Sequence, residues 1–380
     1  MSDRGQREGV GDGASASREV ARFEVRLWRC LDVDGNALAP LPAFAGDLDH
    51  LRRLYRAMVR VRTLDARAVA LQRTGQLGTY ASSLGQEAVG AALGDALSAA
   101  DVLLPTYRET LALLLRGVAM REILLYWGGD ERGMDFAANR GDFPHCIPIG
   151  TQVTHAVGVA AAFHYRREPR VAVCVVGDGG TSRGDFYEGI NLAGAWSLPV
   201  VFLVVNNQWA ISVPRARQSG AETLAQKALA AGFGGEQVDG NDVVMLRERL
   251  SLAVERARRG EGPHLIEALT YRLADHTTAD DASRYRPGDE VEHHRQREPV
   301  LRLRRYLTRL GAWDEAQEAE CLAHCAREVE AEVAAYLATP PAPATAMFDH
   351  LYEALPAALA GQRRELAEKG ASAPGAGDHG

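Results

Sequence analysis

At 380 residues the chain can bury one large α/β core or two smaller ones, and 46% hydrophobic with 24% charged residues is the composition of an ordinary globular protein. A net charge of -7 and a pI near 5.9 argue against nucleic acid as a partner, and no apolar stretch is long enough for a membrane span or a signal peptide. The five cysteines lack C-x-x-C spacing and fit a reducing, cytoplasmic setting without disulfides; Cys321, His324 and Cys325 could share one helical face but lack the second ligand cluster of a zinc site.

Residues 1–20, rich in Gly, Ser and charge, are expected to form a disordered tail, as are residues 370–380. Residues 21–46 read as a strand-like extension with a turn at Asp34-Gly35-Asn36. The main domain is expected over residues 47–340. It opens with a helix capped by Asp47 or Asp49 and ending at Arg73, with Leu51, Leu54, Tyr55, Met58, Val61 and Leu64 at helical spacing and arginines on a solvated face. The loop GQLGTYASSLGQEAVG leads into a second helix near Gly85. Pro105 then separates a short buried run from a helix expected to begin near Tyr107. There the planar fork of Arg108 and the hydroxyl of Tyr107 can meet a phosphate, although a solvated surface also carries such pairs. Residues 128–152 form a glycine-rich connection of a length that usually serves a function, and the small apolar segment after Gly150 fits a helix packed on a sheet.

The chain is organised around residues 171–209. A Val-rich run from Val171 to Val176 ends in Gly177-Asp178-Gly179-Gly180, a helix follows from about Gly184, and a second run from Val200 to Val205 ends in Asn206-Asn207. Strand, helix and strand in some forty residues fit a parallel sheet buried on both faces, in which ligands sit beyond the carboxyl ends of the strands. The glycines let backbone amides approach a phosphate, while Asp178 and the Asn pair supply hard oxygens suited to Mg²⁺ shared with a diphosphate. A dinucleotide fingerprint fails because Ser182 stands where its third Gly belongs, and a P-loop fails because Asp185 follows Gly184. The pattern of GDG, a spacer and NN is similar to the thiamin diphosphate signature.

Beyond the Asn pair we expect a helix from about Glu222 to Ala231, a short strand around Gln237-Val238, an Arg-rich helix to Arg259 and a strand from His264 to Thr270. The basic clusters at 247–259 and 295–309 read as solvated helix faces. The charged loop 271–290 leaves a strand end and can reach the same ligand mouth, which makes His276 a candidate proton donor or acceptor. Helices over 291–310 and 314–338 follow, and a helical segment over residues 341–369, mainly Thr345 to Ala367, ends the fold.

Taken together, YASSLGQEA, LPTYRE, IPIGTQ, GDGGTSRGDFYEGIN, NNQWAIS, VDGND and HTTADDASRYRP stand in the order found in one family. Over roughly residues 47–340 the chain resembles the alpha subunit of the thiamin diphosphate-dependent decarboxylase component of 2-oxo-acid dehydrogenase complexes. The resemblance implies a thiamin diphosphate-binding α/β fold with a central, mostly parallel sheet flanked by helices. It implies that Asp178, the side-chain oxygen of Asn207 and the carbonyl of Trp209 hold Mg²⁺. Tyr107, Arg108 and the amides of Gly179 and Gly180 bind the diphosphate, Ile149 lies under the cofactor, and His276 faces the reacting centre. It also implies a beta subunit in an α2β2 heterotetramer, supplying a glutamate this chain lacks, and a lipoyl acyltransferase core that receives the acyl group. The extension and YASSLGQEA favour pyruvate as the 2-oxo acid, while DDASRYRP is shared with branched-chain enzymes. A noncatalytic scaffold of the same fold is the alternative from another class. Two departures stand out: Val205 replaces a residue that is often polar, and Ala274-Asp275 precedes His276, where a second carboxylate close by would raise its pKa.

Overall fold

A computed structural model describes residues 18–372, so most of both expected tails (1–17 and 373–380) lies outside the described residues. The strands are β1 (Leu27–Trp28), β2 (Val102–Leu104), β3 (Ala172–Gly177), β4 (Val200–Asn206), β5 (Trp209–Ala210), β6 (Val213–Pro214), β7 (Gly235–Asp239) and β8 (His264–Leu269). The helices are α1 (Leu48–Arg73), α2 (Glu87–Ala96), α3 (Thr110–Leu115), α4 (Met120–Trp127), α5 (Thr151–Arg166), α6 (Gly184–Ala195), α7 (Arg215–Gln218) and α8 (Lys227–Ala230). They continue with α9 (Val243–Arg258), α10 (Gly288–Arg295), α11 (Pro299–Arg309), α12 (Glu315–Leu337) and α13 (Ala357–Ser372). No helix among the described residues is long and apolar enough to cross a membrane.

Six strands form one sheet in the order β1-β7-β8-β4-β3-β2, every neighbouring pair parallel. Alternation along the strands decides what each face buries. Val173, Val175, Val201, Leu203 and Ile266 join the core under α1, α2 and α9. Ala172, Cys174, Val176, Phe202 and Val204 join the other core, under α5 and α6. The chain steps from β2 to β3 to β4 in one direction, then passes over to β7 and returns to β8. The order therefore reverses between β4 and β8, where an α/β sheet leaves a crevice at the strand ends.

Several boundaries differ from expectation. The helix expected over Glu222–Ala231 is only the single turn α8, because Leu224 and Ala225 are drawn into the core in an irregular segment whose Ala225 amide bonds Glu267 at 2.9 Å. The expected helix over 291–310 is two, broken where Pro299 begins α11 under a Glu298 cap. The last helical segment is a short 3₁₀ turn (Ala344–Phe348) and then α13, which runs three residues past the expected end at 369. The arginines of α1 and α11 are not simply solvated. α12 lies along α1, so Arg60 meets Glu328 at 2.5 Å and Arg67 meets Glu330 at 2.7 Å, while Arg302 is buried against Asp239 at 2.7 Å.

Candidate cofactor site

The C-terminal ends of β3 and β4 open onto a cleft of about 600 Å³, which the loop after β8 reaches with His276 and Thr277. Tyr107, Arg108, Ile149, Asp178, Gly179, Gly180, Asn207, Trp209 and His276 all line it, although they come from segments as much as 169 positions apart. The reason is topological: each follows a strand end, or a loop pinned to one.

After β3 the chain turns at once into a 3₁₀ turn, Asp178–Ser182, held by the Thr181 hydroxyl donating to the Asp178 carbonyl at 2.7 Å. Gly179 is required by close approach, since a Cβ there would stand 2.5 Å from the Cβ of Ala210. Asp178 is 3% exposed, and its Oδ2 is buried without a hydrogen-bond partner. Burial pushes its pKa up to about 6 against the nearby positive charge of Arg272. A carboxylate oxygen left bare in such a place is what a cation would satisfy. At the end of β4, Asn207 donates from its amide nitrogen to Gln86 Oε1 at 3.3 Å, which turns its Oδ1 toward the Trp209 amide at 3.2 Å. Asn206 points the other way and donates to the buried Glu267 at 2.7 Å, so only the second Asn of the pair serves the cleft. Val205 lines the cleft with an apolar side chain. Five buried polar atoms without partners belong to residues lining this cleft, on Gln86, Trp127, Gln152, Asp178 and Gln218. Such a concentration marks a surface that holds a polar ligand.

Tyr107 and Arg108 stand in the turn between Pro105 and α3 and precede the helix, which begins only at Thr110. Glu109 fixes that turn by accepting from the amide and the hydroxyl of Thr106, both at 2.6 Å. Arg108 is 7% exposed, which removes the surface reading. Its guanidinium donates to the Ser82 carbonyl at 2.7 Å and reaches His276, with Nη2 3.1 Å from Nδ1. The Tyr107 ring meets the His276 ring edge-on, 6.1 Å between centroids.

Arg272 escaped the sequence reading. It is fully buried and, from just beyond β8, donates to the Trp209 carbonyl at 3.3 Å, the Ile211 carbonyl at 2.8 Å and the Tyr285 hydroxyl at 2.8 Å. It thereby holds the β5–β6 hairpin, where Ile211 sits at φ +55°, a strained value for a β-branched residue. The signal available was position alone, an Arg three residues past the end of β8.

The expected upward shift at His276 is reversed. Its pKa is pushed down to about 4, first by burial and then by the guanidinium groups of Arg108 and Arg272, with Asp280 opposing. Asp275 turns away and accepts from the Ala282 amide at 3.0 Å. Both guanidiniums are obligate donors, at 3.1 and 3.4 Å from Nδ1, so Nδ1 accepts and the ring proton lies on Nε2.

No group of three or more His, Cys, Asp and Glu among the described residues gathers to hold a metal; Cys321 and Cys325 are buried and His324 is exposed on the far side of α12. One carboxylate, one amide oxygen and one carbonyl are the sparse hard-oxygen set that suits Mg²⁺ shared with phosphate oxygens. A neighbouring cleft of about 750 Å³ shares Trp209 but none of the other expected site residues.

A family model described as "Dehydrogenase E1 component" matches residues 55–344. Proteins named "Pyruvate dehydrogenase E1 component subunit alpha" from Staphylococcus epidermidis and Staphylococcus aureus are each 40% identical over 352 residues, covering 92% of this chain and 94% of theirs.

Proposed function

The chain belongs to the dehydrogenase E1 component family, and from that premise we propose that it is the alpha subunit of a pyruvate dehydrogenase, a cytoplasmic thiamin diphosphate-dependent oxidoreductase. The reaction is decarboxylation of pyruvate with transfer of the acetyl unit to the lipoyl group of an acyltransferase core. The observation that carries this reading is the partnerless Oδ2 of Asp178 at the mouth of β3, beside Asn207 and the Trp209 carbonyl. The relatives' name supports pyruvate over branched-chain 2-oxo acids. The retained site argues against a noncatalytic scaffold.

In this reading Asp178, the Asn207 side-chain oxygen and the Trp209 carbonyl hold Mg²⁺. The amides of Gly179 and Gly180, with Tyr107 and Arg108, hold the diphosphate, and Ile149 supports the cofactor from below. When bound, thiamin diphosphate supplies the electron sink for loss of carbon dioxide. Arg108 would supply its planar fork to the diphosphate, and His276, whose Nδ1 accepts from Arg108 and Arg272, would keep its ring proton on Nε2 to offer the reacting group. The cofactor-binding unit is residues 47–340.

The carboxylates lining the cleft are Asp178 and Glu109, and Glu109 is committed to Thr106. Neither is free to activate the cofactor's pyrimidine ring, so that group comes from a beta subunit in an α2β2 assembly. The test uses calorimetry and turnover on the enzyme assembled with its beta subunit. Wild type binds thiamin diphosphate in a Mg²⁺-dependent manner and turns over pyruvate. Asp178→Asn is expected to weaken cofactor binding at least tenfold and to lose its Mg²⁺ dependence. Unchanged binding in the variant overturns the site.

A further inference from the structure

Behind the Asp178–Ser182 turn, on the side away from the cleft, lies a charge that the cofactor site described above does not use. Lys227 opens α8 and is 5% exposed. Its Nζ donates to the Thr181 carbonyl at 2.7 Å and to the Thr181 hydroxyl at 3.0 Å, and it lies 5.0 Å from the Tyr187 ring centroid and 5.8 Å from that of Phe186. No carboxylate among the described residues pairs with it. The Thr181 hydroxyl that accepts from Lys227 donates in turn to the Asp178 carbonyl at 2.7 Å, so the lysine is joined through two hydrogen bonds to the residue at the cleft mouth.

An ammonium is strongly hydrated, and burying one without a counter-ion costs the folded protein free energy that two neutral acceptors and two ring faces return only in part. A group of this kind persists where something else in the working protein supplies the opposite charge. The turn that Lys227 braces presents Gly179 and Gly180 to the cleft. We propose that Lys227 is a positioning residue for the anionic end of the cofactor: it braces the Asp178–Ser182 turn from behind and places an ammonium there whose counter-charge is the bound diphosphate. This rests on the cofactor reading given above and extends it to a residue outside the cleft wall.

The charge and the brace separate in Lys227→Gln, which keeps an amide donor for Thr181 and removes the charge. On the assembled enzyme, Kd is measured by calorimetry for thiamin diphosphate and for magnesium pyrophosphate, the anionic end alone, together with the melting temperature without ligand. The expected result is a loss of about tenfold for both ligands, by similar factors, while the ligand-free melting temperature holds or rises because an uncompensated buried charge has gone. A purely structural brace predicts the reverse: a fall in the ligand-free melting temperature, or failure of the variant to assemble, and either outcome overturns the proposal. Wild-type affinity for both ligands in Lys227→Gln overturns it as well. Failure of the wild-type enzyme to bind thiamin diphosphate would instead overturn the cofactor reading, so the two failures are distinct.

Discussion

His145 offers a direct measure of how the wall behind the cleft is built. It is 6% exposed, its Nδ1 lies 3.2 Å from the Thr106 carbonyl, its Nε2 is buried without a partner, and its ring packs 4.6 Å from Tyr126 and 6.2 Å from Trp127. The carbonyl takes the proton of Nδ1, which leaves Nε2 as a bare lone pair among aromatic rings. Burial pushes the pKa down from 6.5 to about 4, with the Thr106 carbonyl opposing. The unfolded chain therefore binds more protons than the folded one between those values. The stability His145 provides is complete above pH 6.5 and is lost as pH falls toward 4. The fall from 6.5 to about 4 corresponds to roughly 3 kcal/mol in all, of which about 2 kcal/mol falls between pH 7 and pH 5. His145→Phe keeps the aromatic packing and removes the titration. Urea denaturation of both proteins at pH 7, 6 and 5 cancels the other titrating groups in the difference, and the stability gap between them is expected to shift by about 2 kcal/mol in favour of the variant at pH 5. A gap that holds within about 0.5 kcal/mol across the series would refute the reasoning.

Two further predictions concern the loop that carries Arg108's support. Asp65, buried in α1, accepts from the Tyr80 hydroxyl, from Ser82 Oγ at 2.8 Å, and from Ser83 at its amide (2.7 Å) and hydroxyl (3.0 Å). Asp65→Ala leaves these donors bare and should cost about 3–5 kcal/mol by urea denaturation. Because Ser82 also supplies the carbonyl that holds Arg108, calorimetry of the assembled enzyme should show weaker cofactor binding as well. Gly85 sits at φ +88° with an added Cβ only 2.3 Å from the Tyr271 carbonyl oxygen, whereas Gly75 sits at φ +73° with open space around it. Gly85→Ala is expected to cost about 3 kcal/mol or more and Gly75→Ala about 1–2 kcal/mol; equal melting temperatures for the two variants would contradict the steric argument.

Elements with their own chemistry were legible from the sequence. Asp47 caps α1 as read, α6 starts at Gly184, and the Val-rich runs are strands buried on both faces. Each rests on local pattern, namely a cap, a periodicity or a run of β-branched residues between glycines. The break at Pro299 and the shortening of α8 lie outside that reading because a new cap formed at Glu298 in the first case and core packing overrode a helical pattern in the second.

The sequence by itself picked out much of what lines the cleft: the turn after β3, the Asn pair at the end of β4, the Tyr-Arg pair after Pro105 and His276 each carry a local signature or follow a strand end. Only the tertiary structure decided how these residues act on one another. Asn206 was turned to Glu267 and Asn207 to the cleft by the pleat of a single strand. The direction of the His276 shift was decided by two arginines 168 and 4 positions away, and not by the adjacent Asp275. Lys227 reaches Thr181 across 46 positions. Charge and hydrogen bonding act through a few ångströms of space, and the distance that governs them is set by the fold and not by separation along the chain.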